Sequence, residues 1–221
     1  MLSGLDPRAK RFLARLPLAA GLALLAWFAG VPEPWGRAVV AAAEPAIRLT
    51  ERPRATFLQW EEGEVLFRRS DFGTRSGTPG FRLAPVTANL VILIALLGAT
   101  PPGEGRRRLR GGALALVALF ASHVLHVALT VGATYATDLG AWSLYAYPRW
   151  QRELLAGGRH FFDIALKYAM PFFLWGLLVV LPALGEQDRE PGTARPVGRR
   201  KRPRVGRAAR PTPGASGSDS P

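Results

Sequence analysis

Cysteine is absent from the chain, which excludes disulfides, thiolate metal sites and a thiol nucleophile. Lysine is scarce. Lys10, Lys167 and Lys201 stand among 29 basic residues, an arginine bias that reflects a GC-rich coding sequence rather than a ligand. Acidic residues number only 16, so the net charge is +13. Charge is also missing locally. Although 48% of the residues are hydrophobic, they are not mixed with the arginines but gathered into long runs with arginines between and after them. That segregation marks a membrane protein, and it accounts for the basic excess without a nucleic-acid partner. No glycine-rich loop follows a strand. The run Pro101-Pro102-Gly103-Glu104-Gly105 is a turn without the Lys-Ser/Thr pair of a phosphate loop.

Four apolar segments are present. Residues 12–31 follow Arg8, Lys10, Arg11 and Arg15, and their uncharged core Leu16–Val31 is short for a span. Ala41-Ala42-Ala43 resembles a leader cleavage site, but Glu33 and Arg37 separate it from the apolar run, so a retained anchor is expected. Residues 83–100 read LAPVTANLVILIALLGAT and stop at Pro101-Pro102. Residues 113–135 read ALALVALFASHVLHVALTVGATY, and residues 161–184 read FFDIALKYAMPFFLWGLLVVLPAL. Pro171 and Pro182 can kink the last segment where neighbours satisfy the freed carbonyls.

Arginine placement orients these segments. Loop 101–112 carries Arg106, Arg107, Arg108 and Arg110 against Glu104, which places it in the cytoplasm with residues 1–11 and the tail 185–221. Segments 32–82 and 136–160 then lie outside. In the first, Arg37–Thr50 reads as a surface helix interrupted at Pro45. Two β-rich runs, Ala55–Trp60 and Val65–Arg69, flank a turn at Gly63 and predict a hairpin. An isolated hairpin is marginal in water, so it should pack on the membrane surface, on 136–160, or on a partner. In 136–160, Trp142, Tyr145, Tyr147 and Trp150 suit an aromatic belt at the headgroups better than a carbohydrate or lipid-headgroup platform. The tail is rich in Pro, Gly, Ser and Arg, densest at Arg199–Arg204. It should stay disordered and be drawn to membrane lipids of the inner leaflet. The expected architecture is an all-α membrane protein: a four-helix transmembrane bundle with a small extracytoplasmic helix, a β-hairpin insertion and a disordered C-terminal tail.

Ionisable and polar groups inside or at the edge of such segments are the functional candidates: His123, His126, His160, Asn89, Asp163 and Lys167. His123 and His126 share a helix face, with Ser122 and Thr130 near them. A metal pair lacks further ligands, and a proton relay lacks carboxylates other than Asp163. Histidines that hydrogen-bond across helices and fix packing are the favoured reading. Asp163 and Lys167, four apart, can pair on one helix face near its outer end.

The stretch from Leu83 to Val127, two apolar segments joined by a short basic loop, resembles the C-terminal half of the exosortase/archaeosortase superfamily. There the next helix carries an Asn-x-x-Arg pair and a later one opens with His near the outer face. Here His123 and His126 stand in place of the Asn and Arg, His160 opens the final segment, and the catalytic Cys has no counterpart. Residues 10–185 are most similar in layout to the small membrane proteins of the exosortase H-associated type. The resemblance implies a non-catalytic accessory protein of the bacterial inner membrane, without cofactor, partnering an exosortase-like protein-sorting enzyme. Two alternatives stay open: a membrane enzyme or transporter using His123, His126 and His160, or a subunit of another envelope-biogenesis complex.

Overall fold

The computed structural model describes residues 6–51, 53–72, 78–101 and 105–181. The basic tail 185–221, Pro182, the first five residues and Glu104 lie outside the described residues.

The first apolar run forms α1 (Pro7–Phe28). Asp6 caps it by accepting the Arg8 N–H at 3.3 Å, and Pro7 occupies the first turn, where a missing N–H costs nothing. At 22 residues, α1 is about 33 Å long, enough to cross roughly 30 Å of hydrocarbon. It ends at Gly30, whose φ of 111° suits glycine. The chain re-enters helix at once in α2 (Pro32–Thr50). This helix begins before Arg37 and runs through Pro45 without interruption, contrary to the expected break. Its buried face explains why. Gly36, Val39, Val40, Ala43 and Ile47 recur at helical spacing and pack on a neighbouring helix and on the hairpin, which outweighs the one backbone bond Pro45 cannot make.

The hairpin forms as expected: β1 (Thr56–Glu61) pairs antiparallel with β2 (Glu64–Arg69), Glu61 opposite Glu64. The two-residue turn has positive φ at both Glu62 (47°) and Gly63 (84°), the primed geometry that matches strand twist. A third strand, β3 (Gly80–Arg82), adds to β2 with Phe81 opposite Val65. Gly80 leaves room there for the Leu66 side chain, whose Cδ2 would sit 2.6 Å from a Cβ and would have to shift. The free edge of β1 is covered by α2. Glu44 accepts the Leu58 N–H at 2.9 Å, Glu51 accepts the Thr56 N–H at 3.1 Å, and Arg48 Nε donates to the Thr56 carbonyl at 2.7 Å.

Next come a single turn, α3 (Ala84–Thr87), and α4 (Asn89–Ala99). Then comes α5 (Gly105–Thr137), whose 33 residues make about 50 Å of helix. The short α6 (Ala141–Ala146) and amphipathic α7 (Arg149–Phe161) lead into a π-helical turn, Phe162–Leu166. After it, α8 (Lys167–Trp175) runs into a second π-turn, Gly176–Val180. The chain is thus mostly helical with one small sheet. Among the described residues two helices are long and apolar enough to cross a membrane, Pro7–Phe28 and Arg108–Thr137. Arg149–Ile164 and Lys167–Val180, bent by 65°, make a third if taken together, and Ala84–Ala99 is a shorter apolar helix.

Contacts at the two ends fix the directions of these helices. Asn89 of α4 meets Lys167 of α8 at one end, and Thr100 meets Trp175 at the other, so α4 and α8 run the same way. Phe12 of α1 stacks on Trp175 at 5.4 Å, and Gly111 of α5 lies against the Leu178 carbonyl, so α1 and α5 run the opposite way. The N-terminal basic residues and the Arg106–Arg110 turn therefore share one end. Two cores result. Leu90, Leu93, Ala115, Leu119 and Leu174 pack near that basic end. Val39, Ala43, Val65, Phe67, Val127, Val131 and Tyr135 pack at the other, joining α2, the sheet and the far half of α5.

Candidate functional site

Between the two cores lies a polar layer. His123 on α5 is fully buried. Trp35 Nε1, which can only donate, bonds His123 Nδ1 at 3.0 Å, so Nδ1 carries no proton. His123 Nε2–H then donates to Asn89 Oδ1 at 2.8 Å, and Asn89 Nδ2 donates to the Lys167 carbonyl at 3.1 Å. That carbonyl is the one whose helical partner would be residue 171. Pro171 has no N–H, and Asn89 supplies the missing donor. One directed chain of bonds thus links α2, α5, α4 and α8, with His123 held as a neutral tautomer. The sequence singled out His123 and Asn89 but not Trp35, whose role depends on where α2 lands.

His126, one turn further along α5, is 4% exposed and differently placed. Its Nε2 lies 3.5 Å from Thr130 Oγ1, and its Nδ1 lies 3.8 Å from Asp163 Oδ1 with no hydrogen-bond partner among the described residues. Phe81 and Phe162 flank the ring. Thr130, His126 and Asp163 follow the order of a nucleophile, base and carboxylate. The Thr130–His126 bond is at the outer limit of hydrogen-bond length, however, the His126–Asp163 separation exceeds it, and Thr130 is buried. The expected Asp163–Lys167 pair is replaced. Asp163 faces His126 and lies 3.9 Å from Arg159, while Lys167 Nζ sits over the Tyr168 ring. The π-turn between them explains this, because its wider winding takes residues four apart out of line. His160 is exposed on α7. The three histidines therefore occupy three unlike surroundings and do not converge on one cavity.

Nothing in the known repertoire of protein families, curated proteins or solved structures matches this chain.

A second polar cluster holds the hairpin to the far end of α5, and sequence reasoning missed it. Arg69 on β2 is buried, with Nε and Nη2 forked onto Asp71 at 2.9 Å each and Nη1 3.4 Å from Glu51. Its guanidinium also lies over the rings of Trp142, Tyr135 and Phe72. The fork to Asp71 raises Arg69 above its already high ordinary value, and the same bond holds Asp71 below the usual carboxylate range. Thr56 Oγ1 bonds both Glu51 and the Tyr135 hydroxyl. The signal was strand alternation, since Arg69 falls on the same inward face as Val65 and Phe67. Of the four aromatics in 136–160, Trp142 and Tyr147 pack into the far core, and burial pushes the Tyr147 phenol up. Tyr145 and Trp150 face outward.

Proposed function

We propose that this chain is a non-catalytic accessory protein of the bacterial inner membrane, crossing it four times with both termini in the cytoplasm. By the family resemblance, its partner is an exosortase-like protein-sorting enzyme. The observation that carries the non-catalytic part is the Trp35–His123–Asn89–Lys167 chain. Both ring nitrogens of the fully buried His123 and the side-chain amide of Asn89 are consumed in joining four helices, which leaves them no capacity for a substrate. In this reading α1, α3–α4, α5 and α8 are the spans. The sheet, α2 and α6 form an extracytoplasmic head locked to the end of α5 by Arg69.

Affinity purification of the tagged chain from native membranes, followed by mass spectrometry, tests the partner. A sorting enzyme should co-purify. Its absence, in cells whose genome encodes one, counts against the assignment. Topology is read separately by single cysteines in the Arg106–Arg110 turn, and labelling of that turn from outside overturns the orientation.

A further inference from the structure

The two ring nitrogens of His126 face two oxygens, Thr130 Oγ1 at 3.5 Å and Asp163 Oδ1 at 3.8 Å. A neutral imidazole carries one N–H and can serve one acceptor. The imidazolium carries two, and a hydroxyl and a carboxylate oxygen can both accept, so the surroundings match the protonated ring. Asp163 is held loosely. Its other oxygen is 3.9 Å from Arg159 Nε, and neither contact is within hydrogen-bond length. The Asp163 side chain is 42% exposed while His126 is buried, which makes the carboxylate the route by which a proton from water reaches Nδ1. Phe81 and Phe162 flank the ring, so a charge there is stabilised by Asp163 rather than by water.

We infer that His126, Asp163 and Arg159 form a proton-operated latch, which fastens α5 to the elbow between α7 and α8 in acid. When His126 gains its second proton, Nδ1–H donates to Asp163 Oδ1 and the gap closes by about 1 Å, to a charge-assisted bond. Asp163 lies in the π-turn Phe162–Leu166, at a bend of 65°, and the movement falls on that wider winding rather than on a straight helix. The titratable and charged groups facing His126 are Asp163 on the π-turn, Arg159 on α7, Lys167 on α8 and His123 on α5 itself, while β3 presents Phe81. His123 is engaged through both nitrogens, and Lys167 Nζ lies over Tyr168. Asp163 is thus the one anion of the set, and Arg159 competes with His126 for it. The side from which the proton arrives, the outer one, rests on the four-span reading above.

Histidine ring signals read by NMR in nanodiscs between about pH 7.5 and 4.5 test the latch, with His126→Gln assigning the His126 signal. His126 should take up one proton in that range. Asp163→Asn should weaken its proton affinity about tenfold, and Arg159→Gln should strengthen it roughly two- to threefold. A ring that stays neutral throughout, or an affinity that neither variant moves, overturns the latch. The two variants act in opposite directions, which a general loss of structure would not produce. Movement is read by Ile164→Cys in the same turn, 63% exposed, labelled with an environment-sensitive fluorophore in the otherwise cysteine-free chain. Its emission should change with pH, and His126→Gln should abolish the change. An unchanged emission while His126 titrates overturns the fastening. In vesicles, an acid step on the side opposite the Arg106–Arg110 turn should move the signal at once. A response only from the side of that turn overturns the outer access and the four-span orientation, and leaves the latch standing.

Discussion

Toward its basic end α5 turns Leu114 and Val117 outward, 57% and 65% exposed, and packs its other side on Leu90, Leu93 and Leu174. Beyond His123 the same helix packs on α2, the sheet, α6 and α7, and Val127, Val131 and Ala136 are fully buried, although Leu125 still faces outward. Both halves are about equally apolar in sequence. What differs is what covers them. In the four-span reading, lipid bathes one half, and a water-facing head with its own core wraps the other. Burial has different value in the two settings. Removing apolar surface from water drives the head together, whereas helix contacts in lipid gain only packing and hydrogen bonds.

The sharpest test of that contrast compares two truncations. Phe67→Ala in the head should cost about 3–5 kcal/mol, and Leu93→Ala, losing packing without transfer from water, about half as much. Thermal unfolding in detergent, followed by near-ultraviolet circular dichroism, reads both. Equal losses would erase the distinction.

Next in size is Arg69→Met, which leaves the partly buried Glu51 carboxylate without its cation, still held by Thr56, and should cost about 2 kcal/mol. Acid probes the same joint. Asp71 is held below its ordinary value of 3.8, so its contribution is complete above that pH and drains away as pH falls below it. The fluorescence of Trp142 beside Arg69 should report this loosening, and Arg69→Met should abolish the acid dependence.

The smallest and most discriminating pair is at the boundary itself. His123→Leu leaves Trp35 without its acceptor and Asn89 without its donor, at a cost of about 1–2 kcal/mol. His126→Leu removes a ring with an unpartnered Nδ1 and should change stability by no more than about 0.5 kcal/mol. Comparable losses would mean that His126 Nδ1 gains a partner in solution or that its long bond to Thr130 counts for as much as the His123 pair.

Much of this was legible along the chain. The hairpin could be read because aromatic and β-branched runs flank Gly63, and the apolar helices because their runs are long. Strand β3 could not, since three residues show no alternation and its place depends on Leu66 closing over Gly80. The path of α2 through Pro45 was hidden because a proline's local cost says nothing of the surface waiting for its helix. His123 and Asn89 were visible as polar exceptions, but their pairing depends on how α4 and α5 are rotated, which periodicity does not encode. Asp163 and Lys167 were misjudged because their spacing assumed an α-helix where the chain winds wider.

The proline at 171 has a consequence for how the molecule is built. In the four-span reading, α8 carries the Lys167 carbonyl, whose α-helical donor Pro171 lacks, into a solvent with no donors to offer until Asn89 meets it. The last helix is thus incomplete alone and becomes whole only on docking. On that reading the contact between α4 and α8 is more than packing, since it supplies a donor that Pro171 withholds.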